Sequence, residues 1–305
     1  MKYHDMTEFS SGHQFLEAPR WHDGKLWLSD FFAQRVITVD GDGTVDEIVA
    51  IDDSPSGLGF LPDGSVLVVT MHGKKVLRIT PDRAVSEYAD ISAFTGGAAN
   101  DMLVTDSGNA YIGNFGFDVL GGEEPAPTRL VRIAPDGAVD AVPGDVLCPN
   151  GLGLTPDGST LVVAETFARR ITAYDVHDDG TLSGARIWAE LPEGFSPDGL
   201  AVDADGGVWV ANVFVGAPES GFYRVEEGGT ITDAILVPDA WAVACAFGGP
   251  DLDVLYLVCN ATSLAEFAEG RSRGFVRTAR VGRHGASSVQ TRTNSLASEG
   301  KQEHV

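Results

Sequence analysis

Cysteine is scarce in this chain. Cys148, Cys245 and Cys259 are the only three in 305 residues, an odd number without the paired spacing of a disulfide framework or a cysteine zinc site. Three buried thiols in a reducing, cytoplasmic setting is the expectation they support. Basic residues are few as well. Lys and Arg number 21 against 44 Asp and Glu, a formal charge of −23. Such a surface repels nucleic acid and anionic membranes, so neither is expected as a partner. No apolar run approaches the ~20 residues of a membrane span, and residues 1–16 lack the apolar core of a signal peptide. Long helical periodicity is missing too, because Gly and Pro interrupt the chain every few residues. The G-x-S-x-G elbow of serine hydrolases does not occur, which argues against covalent acyl transfer.

What is present is a repeat. Residues 148–167 contain a polar head, Asn150, then the apolar run Gly151-Leu152-Gly153-Leu154, a Pro156-Asp157-Gly158 turn and a second apolar run from Leu161 to Ala164. Two short runs flanking an Asp-Gly turn predict an antiparallel hairpin. The same layout opens at Glu17, Ser56, Asn100 and Asp198, and in degenerate form at Val243. Steps of 39, 44, 50, 48 and 45 residues separate these heads. Third strands follow, as in 75–79, 129–133 and 170–174, and a fourth in some repeats, as in 85–88. Units of 40–50 residues with several strands each predict an all-β, six-bladed β-propeller, its four-stranded antiparallel blades set around a central channel. One domain over residues 1–284 is expected, with residues 1–16 completing the last blade against the strand at 274–281, so that no edge is left free. Residues 285–305 read as a disordered polar tail. Insertions at 119–128 and 215–221 read as loops overhanging one face.

Propeller geometry turns the repeat into chemistry. Innermost strands line the channel, so equivalent heads form a ring at one face. Glu17, Asn100, Asn150 and Asp198 each offer a carboxylate or carboxamide oxygen, a hard donor set suited to one divalent cation. Ca²⁺ is the first expectation, with Zn²⁺, Mg²⁺ or Mn²⁺ as alternatives. The absence of His and Cys from the heads excludes a His/Cys structural zinc site. Asp101 stands next to Asn100 as a second carboxylate and a catalytic candidate. The ends of the second strands return to the same face and place Asp30, Asn114, Glu165, Asn212 and Asn260 around the opening. With them come His72, a candidate proton carrier, and the aromatic Phe115, Phe167 and Phe214, candidates for substrate contact.

The motifs Glu-Ala-Pro-Arg-Trp (17–21), Asn-Asp (100–101), Pro-Asn-Gly-Leu (149–152), Ser-Pro-Asp-Gly-Leu (196–200) and Ala-Phe-Gly-Gly-Pro-Asp-Leu-Asp-Val-Leu-Tyr (246–256) together resemble the senescence marker protein-30 (SMP-30)/gluconolactonase family over residues 10–282. The resemblance implies a six-bladed propeller with one divalent cation, usually calcium. It implies Glu17, Asn150 and Asp198 as cation ligands, Asn100 as a substrate or cation contact, and Asp198 as general base. Sugar lactonases of the family commonly carry an arginine two residues before that asparagine, where this chain has Ala98. The expected function is metal-dependent hydrolysis of a lactone or related ester, with Asp198 drawing the proton from water directly or through Asp101. A phosphotriesterase-like hydrolase and a non-catalytic calcium- or ligand-binding propeller are the alternatives. The expected partner is a small-molecule substrate, and the expected assembly a monomer or weak homo-oligomer.

Overall fold

Apolar alternation with Asp-Gly punctuation builds the same sheet six times. A computed structural model of the chain describes residues 1–119, 121–214 and 219–286. In the second repeat the strands are Pro55–Phe60, Val66–Thr70, Lys75–Ile79 and Val85–Asp90, paired in sequence order and antiparallel throughout. The turn between the first two is local chemistry. Asp63 accepts from the Ser65 amide at 2.9 Å, and Gly64 takes φ +82°, a left-handed conformation that glycine adopts without a Cβ penalty. The other repeats give further sheets of the same order, so the fold is a six-bladed β-propeller.

Burial falls outward along each blade. Pro55–Phe60 and Val66–Thr70 are buried at every position, whereas the outermost Val85–Asp90 is largely exposed. Blades cover one another's inner strands on both faces, which is why those strands read as continuous apolar runs. Each fully buried Val, Leu or Ile there contributes about 1.5–3 kcal/mol. Neighbouring innermost strands contact each other all the way round the ring, and they come very close. A Cβ on Gly57 would lie 2.3 Å from the Met102 nitrogen, and one on Gly151 would lie 2.5 Å from the Leu200 nitrogen. The glycine after the head is therefore a packing requirement of a tight ring.

Closure joins the two ends of the chain. Thr7–His13 is the outermost strand of blade six, antiparallel to Arg273–Ala279. Lys2–Tyr3 adds a parallel fifth strand to blade five, where His4 Nε2 lies 2.8 Å from Asp233 Oδ1. Gly285 and Ala286 are tied down, their amides donating to the Leu252 and Val202 carbonyls at 2.8 and 3.0 Å. Residues 287–305 of the expected tail, and parts of both expected loops, lie outside the described residues. The short helix Leu264–Ala268 was not foreseen, although Ser263 and Glu266 form the capping signature that marks it: Ser263 Oγ accepts from the Glu266 amide at 3.3 Å. Among the described residues no helix is long and apolar enough to cross a membrane.

Candidate active site at the head end of the channel

In all six blades the ladder between first and second strands slips at the head. The register breaks between Glu17 and Arg20, Pro55 and Leu58, Ala99 and Met102, Pro149 and Leu152, Pro197 and Leu200, and Ala242 and Ala244. A bulge releases its residue from the ladder and re-aims the side chain. Ser56, Asn100, Asn150 and Asp198 sit inside these bulges, and Glu17 opens its own. Ala18, directly after Glu17, holds φ +48° without being glycine, a strained conformation of the kind that gathers at functional sites. The pairing corrects one register. Trp241 faces Asn260 as Pro197 faces Asn212, so the sixth head is Ala242 rather than Val243, and it remains apolar.

The carboxylates at the ring are out of balance. Burial pushes Glu17 up to about 7; Ser56 Oγ, donating to its Oε2 at 2.7 Å, opposes the rise, and Asp101 adds to it. Asp198 is driven well above the usual carboxylate range, first by burial and then by repulsion from Glu17 and Asp101, against hydrogen bonds from Asn150 and the Gly199 amide. Both keep a partial opening to the channel although protein packs around them on all sides. Asp101 is raised by burial and held back by Arg20. Its Oδ1 accepts from Arg20 Nη2 at 2.7 Å and from the Met102 amide at 2.8 Å. Arg20 is itself 6 % exposed. It also donates to the Leu58 and Met102 carbonyls at 3.1 and 2.7 Å. The one guanidinium beside the ring is thus committed to Asp101 and to backbone carbonyls.

The carboxamides are oriented by proton inventory. Thr166 Oγ1 gives its single proton to the Pro197 carbonyl at 2.8 Å. Toward Asn150 it can only accept, which assigns the 3.3 Å contact to the Asn150 NH₂. Asn100 Nδ2 likewise donates to the Pro149 carbonyl at 3.4 Å. Both carboxamide oxygens are thereby left for another partner. Two carboxylates whose proton affinity is raised by burial and by neighbouring acids, together with two freed carboxamide oxygens, fit a hard divalent cation. Among the described residues no three His, Cys, Asp or Glu side chains are gathered as a metal-holding group; half of this donor set is amide.

The expected polar rim is a correction. Asp30, Asn114, Glu165, Asn212 and Asn260 are all buried, at 0 or 1 % exposure, and they serve as latches. Asn260 accepts from and donates to the Leu16 backbone at 2.9 and 3.0 Å. Asn212 takes the Ser196 amide at 2.8 Å and gives to the Glu219 carbonyl at 3.1 Å. Glu165 takes the Leu147 amide at 2.7 Å and pairs with Arg170 at 2.6 Å. A return position that points into the sheet cannot also face the channel. His72 is exposed. Phe115 is half-buried in a cluster with Ala98, Met71 and Val213. Phe167 and Phe214, at 39 and 38 % exposure, lie edge-on to Phe117 and Trp241 at 5.4 and 5.1 Å. The roles of Arg20 in holding Asp101, of Thr166 in orienting Asn150 and of Ser56 in bonding Glu17 escaped the sequence reading, since each is a side-chain contact between separate strands. Cys148 is fully buried at φ +53°, and burial pushes its thiol up to about 12. A cavity of about 410 Å³ opens at the opposite end of the channel, walled by Leu152, Leu154, Val202 and Phe247. Arg20 lines it too, so the Arg20–Asp101 pair stands between the two ends.

A profile of the SMP-30/Gluconolactonase/LRE-like region matches residues 15–261. The chain is 29 % identical over 245 residues to pentonolactonase XacC of Haloferax volcanii, covering 79 % of this chain and 80 % of that one. It is 26 % identical over 282 residues to a 6-deoxy-6-sulfogluconolactonase of Pseudomonas putida, covering 87 and 90 %. In structure it is similar to a luciferin-regenerating enzyme, with TM-score 0.77, 19 % identity and coverage of 92 and 96 %. A calcium-binding regucalcin of Agrobacterium tumefaciens aligns with TM-score 0.72, 19 % identity and coverage of 92 and 97 %; these likenesses establish the fold. With the profile spanning every head from Glu17 to Ala242 in order, the chain belongs to the SMP-30/gluconolactonase/LRE-like family.

Proposed function

We propose that the head cluster hydrolyses a lactone or related carboxylic ester with the help of one divalent cation, Ca²⁺ before Zn²⁺, Mg²⁺ or Mn²⁺. The observation that carries the reading is the pair of carboxylates at the channel mouth, Glu17 raised by burial and by Asp101, and Asp198 raised by burial, by Glu17 and by Asp101, with Arg20 committed to Asp101. An uncompensated buried charge of this kind is costly unless a cation joins it. Relatives named as lactonases support the bond cleaved, and the regucalcin titled calcium-binding supports the ion. Glu17, Asn150 and Asp198, with Asn100 beside them, would hold the cation, which when bound supplies Lewis-acid polarisation of the ester carbonyl.

This chain's own residues do the rest. Asp198, ionised and of raised proton affinity, draws a proton from a water molecule as its oxygen bonds to the acyl carbon; the raised affinity makes it a stronger base than an ordinary carboxylate. When the ring C–O bond breaks, the same carboxyl returns the proton to the departing alkoxide, and a hydroxy acid results. Ser56 fixes the Glu17 carboxylate and Thr166 fixes the Asn150 amide, so the donors are set before substrate arrives. Asp101, held by Arg20, contributes a negative field that keeps Asp198 basic. Phe115, Phe167 and Phe214 would contact substrate at the rim, with His72 beyond them. Complete chelation should abolish lactone hydrolysis and added Ca²⁺ should restore it; activity that survives removal of every divalent ion would refute the reading.

A further inference from the structure

Next to the heads, five of the six blades contribute two more residues to the same end of the ring. The position two before the head and the residue after the second strand are joined by a backbone hydrogen bond in five blades. Phe31 donates to the Phe15 carbonyl at 2.7 Å, Met71 to Ser54 at 3.0 Å, Phe115 to Ala98 at 2.9 Å, Thr166 to Cys148 at 3.2 Å and Val213 to Ser196 at 3.2 Å. This collar contains no charged side chain and no carboxamide. Members from separate blades belong to one contiguous hydrophobic cluster: Phe31, Met71 and Val213 within it, beside Trp241 of blade six, and Ala98 and Phe115 packed against it. The aromatic surface then continues outward. Phe214 meets Trp241 at 5.1 Å, Trp241 meets Phe267 of the short helix at 5.8 Å, and Phe267 meets Phe32 at 5.2 Å. Phe214 remains 38 % exposed.

From this collar we infer that the substrate class is a neutral lactone carrying an apolar alkyl or aryl side chain; the inference rests on the hydrolytic reading above. Recognition of a polyhydroxylated ring needs buried donors and acceptors matched to each hydroxyl. The collar offers only the hydroxyls of Ser54, Ser196 and Thr166, and Thr166 already spends its proton on Pro197. An apolar side chain instead removes aromatic surface from water, worth roughly fourfold in binding per methylene. Neutrality follows from the −23 formal charge of the chain, which repels an anion.

The test compares γ-nonalactone, γ-valerolactone and glucono-δ-lactone with the Ca²⁺-loaded protein. The expected order of kcat/KM places γ-nonalactone at least tenfold above glucono-δ-lactone, with γ-valerolactone lower than nonalactone by roughly fourfold per missing methylene. Phe214→Ala, at an exposed position where folding is insensitive, and Phe115→Ala should each cut that ratio at least threefold. A preference for glucono-δ-lactone, or a ratio unmoved by both variants, overturns the inference. If no lactone is hydrolysed, the hydrolytic reading fails by itself, and γ-nonalactone binding by saturation-transfer NMR decides the collar: binding weakened by Phe115→Ala upholds it, and no binding overturns it.

Discussion

Two sets of polar residues made from the same residue types stand at the strand ends of this ring. Asp30, Asn114, Glu165, Asn212 and Asn260 close the second strands; Glu17, Asn100, Asn150 and Asp198 open the first. The closing set is saturated. Asp30, for example, accepts from the Gln14 and Phe15 amides at 3.2 and 3.1 Å and from Arg35 at 3.0 Å. The opening set is not saturated, and the difference shows in Glu17 at about 7 and Asp198 well above the carboxylate range. Bulges explain the divergence. A residue in register at the end of a ladder turns into the sheet and finds backbone partners, whereas a bulged residue turns out of the ladder and keeps oxygen atoms that the backbone does not saturate. Saturation marks stability, and frustration of buried charge marks chemistry.

The contrast breaks most visibly at Asp198. Asp198→Asn should lower kcat for lactone hydrolysis by roughly 10²–10⁴-fold, the range for removing a general base. Its urea midpoint should not fall, because a destabilising buried charge leaves. A lowered midpoint with kcat intact would erase the distinction between the two sets. A matched pair sharpens it further. Asn212→Ala orphans the Ser196 amide and the Glu219 carbonyl and should cost about 2–4 kcal/mol in denaturant unfolding, with Ca²⁺ affinity by calorimetry little changed. Asn150→Ala should do the reverse, weakening Ca²⁺ at least tenfold while the unfolding midpoint stays near that of the parent.

The smallest effect is in proton linkage. An unfolded glutamate ionises near 4.5 and Glu17 in the fold near 7, so the folded chain retains a proton that the unfolded chain has lost between those values. Its contribution to cation-free stability is therefore full below pH 4.5 and lost as pH rises through 7. Ca²⁺ must displace that proton, so affinity should climb by up to tenfold per pH unit toward 7 and level off above it. Ser56→Ala removes the bond that favours the charged form and should move the plateau to higher pH. Calorimetric titrations across pH 5.5–8.5 measure both, and an affinity flat with pH would remove Glu17 from the donor set.

Much of this was legible in the linear chain. Six polar-or-small heads at near-regular spacing, each before an apolar run and an Asp-Gly turn, leave a propeller as the architecture, and a propeller brings Glu17, Asn100, Asn150 and Asp198 to one ring. The sixth head was displaced by one residue because its apolar neighbours Ala242 and Val243 carry no pattern to choose between them. The second-strand ends were misplaced for a deeper reason. Asn212 and Asn150 are the same residue type, each next to an apolar run, and local sequence does not say which is pulled into a ladder.

The order of strands, the closed ring and the list of oxygen donors follow from composition and period alone, because hydrophobic alternation and turn chemistry act over a few residues. Only the assembled structure decided which polar side chains are spent on backbone and which stay unsatisfied. The Arg20–Asp101 pair spans 81 residues of chain and the Asn150–Thr166–Pro197 relay joins two blades. Such contacts depend on ring closure and bulge direction, which are properties of all six blades at once.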